Sequence, residues 1–374
     1  MGIKFKPSGS FVMAEEELFT KANRAWYSVS NLIYQNKRWS IDRALRLFDR
    51  LVLPVATYAC EFWIPFVLPK KSFESQENLM KSFEKLRAET LNQKLCRMLL
   101  SVHNKATRLA VLSELGRYPV LISSLTQLLK YHWSLMKQKN SDTLIGSTLR
   151  EMEVFSDQGK DCWLTRTNSI KSVLKIPEFP SHFLPKTTGN KIKDMLNSCF
   201  ESFWKTEINA IKANKDGRNT NKLRFYKTLK GSFSREPYID LVPNRSQRSW
   251  LSRLRISAHH LGVEIGRYTR PITPLENRTC NYCKSGEIDH ESHFLTKCSI
   301  CQAERNCLFA RMETVGPGFL GPSKQNKVTK LLCPTNATSA KLINTFISLV
   351  MSNRRKLDEG HSASMLGLPD IQNG

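Results

Sequence analysis

Apolar residues recur at steps of three and four along most of the chain, which is the spacing of one face of an α-helix. The run through Leu18, Ala22 and Val29 is typical. Alternation over the first dozen residues instead predicts a short hairpin that turns at Ser8-Gly9. The chain is therefore predicted to be mainly α. Its predicted helices cover about 14–32, 41–53, 83–102, 106–115, 119–135, 190–213, 246–261 and 343–356.

Residues with known terminal preferences mark the ends of these helices. Ser40 is a predicted N-cap, Gly116 stands where a helix should stop, and Pro119 opens the next one. Residues 138–190 are rich in turn-forming residues, so we predict a loose connector there that contains one short helix near 166–175. We expect the tail from about residue 358 to be disordered.

The chain has 374 residues, of which 40% are hydrophobic and 24% are charged, so we expect two or three globular domains. It contains no run of about 18 apolar residues, which predicts no membrane-spanning helix and no membrane partner. The amino terminus lacks the apolar core of a signal peptide, so secretion is not expected. Five scattered cysteines are interpreted as buried thiols in a reducing compartment: Cys60, Cys96, Cys162, Cys199 and Cys333.

Basic residues are in large excess. Lysine and arginine outnumber aspartate and glutamate by 57 to 33, a formal net charge of +24. The segment from Arg218 to Arg255 has ten basic residues and only Glu236 and Asp240 as acids. A stripe of this kind is typical of a nucleic-acid-binding surface, and the alternative is a basic face that merely keeps the protein soluble. RNA and DNA are therefore the expected partners.

The helix predicted over 246–261 has an apolar side for docking and a cationic side for phosphates. The cationic side comprises Arg245, Arg248, Arg255 and His259, with Arg253 between the two sides. We predict nucleic-acid contacts from Arg224, Lys227, Arg245, Arg248, Arg253 and Arg255. For the nearby aromatic residues, packing is favoured over stacking on bases: Tyr226, Phe233 and Tyr238.

The strongest motif lies near the carboxyl end and reads Cys280-x2-Cys283-x9-His293-x4-Cys298. Two cysteines on a tight turn can bind one side of a zinc ion, and a His and a Cys on the next element can complete a tetrahedron. Four protein ligands leave no open position, so the predicted Zn²⁺ is structural. Two alternatives stay open, because His290 can replace His293 and Cys301 can replace Cys298.

No catalytic constellation accompanies this motif. The sequence has no glycine-rich phosphate loop, no nucleophile elbow and no HExxH pair. Its eleven aspartates are scattered singly, whereas metal-dependent nucleotidyl transfer needs clustered carboxylates to hold two cations. The chain as it stands is therefore not expected to be an enzyme.

Short runs at both ends of the chain fit one pattern. Toward the carboxyl end they are 222–226 (KLRFY), 253–259 (RLRISAH), 264–268 (EIGRY), 280–283 (CNYC), 289–298 (DHESHFLTKC) and Arg305. Toward the amino end they are 2–5 (GIKF), 9–11 (GSF), Lys21-Ala22, 51–63 (LVLPVATYACEFW) and 114–119 (ELGRYP). Together they resemble the part of LINE-like non-LTR retrotransposon polyproteins that follows the reverse transcriptase palm. The chain departs from that pattern at His290, where an acidic residue is usual, and at Cys301, where an aromatic residue is usual.

The resemblance implies a fragment of an RNA-directed DNA polymerase whose catalytic aspartates, in the palm and fingers portion, would lie before Met1. Such a fragment is non-catalytic and binds RNA and DNA in target-primed reverse transcription, with the palm and fingers as a further partner. It would act in the nucleus or cytoplasm as a ribonucleoprotein. The implied regions are thumb-like (1–70), helical linker (71–217), basic nucleic-acid-binding (218–270), CCHC zinc-binding (271–311) and C-terminal helix with tail (312–374).

Other interpretations of the same residues remain open. The fragment can be a protein-interaction scaffold, or a decayed remnant of a retroelement with no retained activity. In both cases the metal segment only holds the fold together, and the basic charge is inherited. An active polymerase would need a palm encoded upstream, because the catalytic carboxylates are missing from this sequence.

Overall fold

The structure is a computed structural model of the chain. It describes residues 10–36, 39–180, 182–210, 222–223, 225–242, 244–321 and 323–365, without the side chains of 324–325 and 358–365. Within these ranges α-helices dominate and no strand forms, which confirms the mainly α prediction. An isolated antiparallel bridge joins Thr279 to Ile288. The hairpin predicted at Ser8-Gly9 lies outside the described residues.

Most predicted helices form close to their expected bounds. In chain order the helices are α1 (Val12–Gln35), α2 (Ile41–Leu51), α3 (Leu53–Ala56), α4 (Cys60–Val67), α5 (Gln76–Lys81), α6 (Arg87–Leu100), α7 (Arg108–Glu114), α8 (Val120–Met136), α9 (Leu144–Asp157), α10 (Trp163–Leu174), α11 (Pro185–Asn209), α12 (Tyr226–Leu229), α13 (Tyr238–Leu241), α14 (Arg245–Arg255), α15 (Gly262–Ile265), α16 (Glu291–Thr296), α17 (Gln302–Val315), α18 (Lys324–Leu332) and α19 (Ala337–Met365). Short 3-10 turns cover Lys70–Phe73, Ser82–Lys85, Leu275–Asn277 and Ser299–Cys301. The backbone of α19 stays helical past the predicted start of the tail, and 366–374 lie outside the described residues.

The chain divides into two compact units. The N-terminal unit comprises 1–96, 111–210 and 232–234, and the C-terminal unit comprises 97–110, 211–231 and 235–374. Among the described helices, none has by itself the length and apolarity to cross a bilayer. The segments 41–56 and 60–67 meet those criteria only together, as a pair bent by 72°.

The core of the N-terminal unit forms around α8, most of whose apolar residues are buried. Helices α4 and α11 pack against it. Trp63 of α4 and Phe200 of α11 are fully buried, and the Phe200 ring lies edge-on to that of Phe83 with centroids 6.0 Å apart. Each such ring removes on the order of 150–250 Å² from water, so these aromatic side chains supply much of the stability of this unit.

A buried carboxylate organises the turn before α8. Glu89 accepts hydrogen bonds from the Val120 N–H (2.9 Å) and from the side-chain amide of Gln93 (2.9 Å). Burial raises the pKa of Glu89 to about 7, although these hydrogen bonds act in the opposite direction. The same turn contains Gly116 with a φ of +59°, a conformation that glycine adopts without steric cost. The Gly in the run 114–119 is therefore explained by local geometry.

Most of the predicted connector at 138–190 is helical, so the prediction of a loose connector is wrong, whereas the short helix predicted near 166–175 is confirmed as α10. This segment forms α9, α10 and the start of α11. Helix α10 packs against α4, and Trp163 Nε1 donates to Glu61 O at 2.8 Å. Turn-forming residues of this segment serve as helix caps instead: the Thr143 hydroxyl accepts from the Gly146 N–H (3.3 Å) at the start of α9.

In the C-terminal unit, α19 packs along α14 and α17. The cap of α14 is Asn244 rather than the predicted Ser246, because the Asn244 side chain accepts from the N–H groups of Ser246 (3.0 Å) and Gln247 (3.3 Å). The helix ends at Arg255, short of the predicted residue 261, because Ser257 adopts a left-handed conformation with a φ of +51°. The residues after it are thus free to turn toward the metal segment.

Candidate metal centre

The first two candidate ligands lie on a tight turn. The Cys280 N–H donates to Glu287 O at 2.9 Å and closes a loop that contains Cys283. Gly286 in this loop has a φ of +71°, which glycine tolerates because it has no Cβ. Cys280 is buried and Cys283 is half-buried, so the loop holds one thiol inside and one near the surface.

The other two ligands lie on and just after the short helix α16. His290 caps this helix, since its Nδ1 accepts from the His293 N–H at 3.1 Å. At the other end, the Cys298 N–H donates to His293 O at 2.9 Å, which brings residue 298 back beside residue 293. Phe294 is fully buried and anchors the helix.

These elements bring the four predicted ligands together. The sulfur atoms of Cys280, Cys283 and Cys298 and a ring nitrogen of His293 all lie within 4.8 Å of one another. The Cys280 and Cys298 sulfurs are 3.8 Å apart, and His293 Nε2 is 3.4 Å from the Cys283 sulfur. A group of three thiols and one imidazole at these distances can hold a metal ion.

The two alternative ligands have other contacts. His290 uses its ring nitrogen as the cap of α16, as described above. The Cys301 sulfur lies 3.0 Å from Arg305 Nη2 and 3.4 Å from Cys298 O, and it is not among the four clustered ligand atoms. Arg305 also donates to Cys298 O at 2.5 Å, so this buried guanidinium fixes the chain that follows the last ligand.

A carboxylate orients the candidate imidazole ligand. Glu287 Oε2 lies 3.1 Å from His293 Nδ1, on the opposite side of the ring from the thiols. Lys297 in turn donates to both oxygens of Glu287, at 2.8 and 2.9 Å. Metal-binding histidines usually donate their second ring N–H to such a carboxylate, which fixes the ring and makes Nε2 the better ligand.

Arg354 of α19 is a residue of this centre that the sequence analysis missed. Its Nη2 lies 3.4 Å from the Cys298 sulfur and 3.7 Å from the Cys280 sulfur, while Nη1 donates to Asp289 at 3.1 Å. The guanidinium also lies over the ring of Tyr282, 4.5 Å from its centroid. When Cys280 and Cys298 are thiolates, the Arg354 cation offsets their negative charge. The interaction is strong because all three side chains are buried, where water screens charge poorly.

Without a metal ion two members of the cluster, Cys280 and His293, hold their protons tightly. The neighbouring Cys298 and burial together raise the pKa of Cys280 to about 11. Hydrogen bonds to Cys280 and Cys298 raise the pKa of His293 to about 11. For Cys283, partial burial is outweighed by the hydroxyl and N–H of Ser285, and its pKa is lowered. Metal binding at this group therefore releases protons, since ligands must be deprotonated.

Two of the predicted nucleic-acid contacts are buried, which corrects that prediction. Arg248 donates to Val242 O (2.7 Å) and Leu99 O (3.2 Å), and burial lowers its pKa to about 10. Arg255 is fully buried and pairs with Glu236 at 2.6 Å. The side of α14 that spacing identified as cationic therefore faces the interior, where carbonyls and a carboxylate satisfy the guanidinium groups.

The other predicted contacts are more accessible. Lys227 is exposed, and Arg245 and Arg253 are half-buried, with Arg253 Nε donating to Ser101 O at 2.8 Å. Arg224 lies outside the described residues, so its role stays a prediction. The expected packing of the aromatic residues is confirmed, since all three are buried: Tyr226, Phe233 and Tyr238.

No protein-family model, no curated protein and no solved structure matches the chain. The resemblance to non-LTR retrotransposon polyproteins therefore rests on the sequence motifs, and the family assignment stays a prediction. What the structure establishes independently is a mainly α fold with a group of three cysteines and one histidine that can hold a metal ion.

Proposed function

We propose that the metal ion of this centre is a structural Zn²⁺. Zinc–sulfur bonds of about 2.3 Å in a tetrahedron place two sulfurs about 3.8 Å apart. The Cys280 and Cys298 sulfurs are 3.8 Å apart. The donor set of three thiolates and one imidazole is also one that zinc prefers, and four protein ligands leave no position for a substrate.

Metal analysis of the purified protein tests this proposal. We expect one equivalent of zinc in the unaltered chain and its loss in Cys298→Ser, which removes a buried ligand. Cys307→Ser is the matched control, because Cys307 is exposed and lies outside the cluster. Sub-stoichiometric zinc in the unaltered protein, or equal zinc in the two variants, would contradict it.

We further propose that the chain is a non-catalytic nucleic-acid-binding fragment of a retrotransposon-type reverse transcriptase. The observation that carries this proposal is the charge of the segment 218–255, with ten basic residues and two acids. Both acids are engaged in ion pairs, Glu236 with two buried cations and Asp240 with Arg235. The described cations of this segment that are exposed or half-exposed are Lys222, Lys227, Arg235, Arg245 and Arg253.

Such a surface suits the phosphate backbone of RNA or DNA, since a basic excess attracts a polyanion. In target-primed reverse transcription the fragment would hold template and target nucleic acid, while the palm and fingers supply the polymerase chemistry. We place this activity in a nuclear or cytoplasmic ribonucleoprotein. The sequence motifs that resemble the family support this assignment.

A salt series tests nucleic-acid binding. We expect affinity for duplex DNA and structured RNA to fall steeply with salt, because binding releases counterions. The double variant Lys227→Glu with Arg245→Glu should reduce the slope of log affinity against log salt by about 2. The double variant Lys186→Glu with Lys193→Glu is the control, because these two exposed lysines give the same charge change in the N-terminal unit. No binding at low salt, or an equal slope in all three proteins, would refute the proposal.

A further inference from the structure

A groove of about 700 Å³ lies between α14 and α19 in the C-terminal unit. Its walls come from the segment before α14, from α14 itself and from the first half of α19. Pockets that take small ligands have volumes of about 300–1,000 Å³, so the groove is large enough for one nucleotide. The residues that matter for its chemistry are Val242, Lys341, Asn344, Thr345, Ser348 and Leu349.

One buried side chain in this groove has an unused hydrogen-bond acceptor. Asn344 is 2% exposed, and its Nδ2 donates to Ala340 O at 2.7 Å. Because that carbonyl can only accept, the amide nitrogen must face it, and Oδ1 is the atom left over. Oδ1 is buried and has no hydrogen-bond partner. A buried acceptor without a partner destabilises the folded chain, so a bound ligand that supplies a hydrogen-bond donor is favoured here.

The other residues that line the groove indicate which kind of ligand carries this donor. Val242 and Leu349 form apolar walls, which suit a flat ring. Lys341 is exposed at the rim, and none of the described residues that line the groove is acidic. A ligand with an apolar ring face, an N–H donor and a negative charge nearby satisfies all three features, and a nucleobase on its phosphate backbone has each of them.

We propose that this groove binds one unpaired base of a single-stranded RNA or DNA, whose amino group donates to Asn344 Oδ1. The proposal rests on the nucleic-acid binding proposed above and adds a site for it. Adenine, cytosine and guanine carry such an amino group on their edge, and uracil and thymine carry a ring N–H that can donate in its place. Lys341 attracts the adjoining phosphate, and α14 and α19 hold the walls in place.

Binding of two strands of equal length tests the site, one an oligocytidine and one an abasic strand with the same phosphates. The unaltered protein should bind the oligocytidine about tenfold more tightly, since a buried base contact is worth about 1–3 kcal/mol. Thr345→Trp fills the groove and should abolish this preference while leaving the abasic strand bound as before. Thr338→Trp is the matched control, because Thr338 is exposed on the same helix and does not line the groove.

The Asn344→Leu variant gives a second reading at nearly constant side-chain volume, and it too should lose the preference for the oligocytidine. If the unaltered protein binds both strands equally, or if Thr345→Trp and Thr338→Trp keep the same preference, the groove proposal is overturned while nucleic-acid binding survives. If neither strand nor any duplex binds at low salt, the proposed function itself fails. If the groove instead binds a protein segment, the unaltered protein should bind the oligocytidine and the abasic strand equally.

Discussion

The two units bury charge in different ways. In the N-terminal unit, Glu89 is held by backbone and side-chain N–H donors, and burial raises its pKa. In the C-terminal unit, Lys230 and Arg255 share the carboxylate of Glu236, at 2.6 Å each. Arg354 there lies against two sulfurs of the candidate metal centre. Glu89 is therefore a buried acid held mainly by neutral donors, whereas Lys230, Arg255 and Arg354 are buried cations held by a carboxylate or by sulfurs.

This difference decides what each unit responds to. A buried carboxyl group held mainly by neutral donors can take up a proton, so its contribution to the free energy of unfolding depends on pH. An arginine stays charged under all ordinary conditions, so it must keep a carboxylate, a carbonyl or a thiolate beside it. The N-terminal unit should thus be sensitive to pH through Glu89, whereas the C-terminal unit should be sensitive to loss of a partner or of the metal ion.

Metal removal should have the largest effect, and it should be confined to the metal segment. Structural zinc contributes about 10–16 kcal/mol in small zinc-binding peptides, so stripping the ion should unfold 279–298. Hydrogen exchange measured by mass spectrometry should show lost amide protection there and unchanged protection in α8. Retained protection in 279–298, with loss of the metal verified by metal analysis, would show that the segment folds without an ion.

Loss of the shared carboxylate should come next. Glu236→Gln leaves Lys230 and Arg255 buried without their anion, and breaking a buried pair costs about 3–5 kcal/mol. Asp240→Asn makes the same chemical change in a pair whose aspartate is 62% exposed, so it should cost less than about 1 kcal/mol. Urea unfolding measures both. Equal losses would mean that the interior pair is as weakly coupled as the surface one.

The pH dependence of stability should identify Glu89. Its carboxyl has an ordinary pKa of 4.5 and a pKa of about 7 when folded, so between these values the folded state keeps a proton that the unfolded chain has lost. Stability should therefore fall as pH rises through this window, by about 3 kcal/mol in total.

Comparison of two glutamine variants isolates this contribution. Glu89→Gln should flatten the fall in unfolding free energy between these pH values, because the titrating group is gone. Glu77→Gln, at an exposed position, should leave it unchanged. An equally steep fall in Glu89→Gln would assign the pH dependence to another group.

The smallest effect should come from the arginine beside the thiolates. Arg354→Gln removes the cation that lies near the Cys280 and Cys298 sulfurs, and it should weaken metal affinity by about 10–100-fold. Arg355→Gln is the matched control, because its side chain is exposed on the same helix. Competition with a coloured chelator measures both affinities. An unchanged affinity in Arg354→Gln would limit this residue to packing.

Features that depend on local spacing could be predicted from the sequence. The steps of three and four apolar residues identify α1, α2 and α8, and Ser40 is the N-cap as expected, with its hydroxyl 3.3 Å from the Arg43 N–H. The ligand set of the metal centre is also local, since a turn and one short helix bring Cys280 and Cys298 together. In both cases the residues that determine the feature lie close together in the sequence.

Features that depend on distant partners could not be predicted. Helical spacing shows that Arg248 and Arg255 share a side of α14. It does not show that this side faces the interior, where Leu99 O accepts from Arg248 and Leu332 O accepts from Arg255. Arg354 likewise has no local signal, because its sulfur partners lie far away in sequence. The sequence contained the charges, and only the packed structure assigns their partners.

The distance of Arg354 from the ligands has a consequence for synthesis. Cys298 precedes Arg354 by 56 residues, so on the ribosome all four ligands emerge before the guanidinium that covers two of the sulfurs. A newly made chain can thus bind a metal ion with these four ligands before α19 covers the centre. A product truncated before α19 would leave those thiolates open to oxidation and to competing metals.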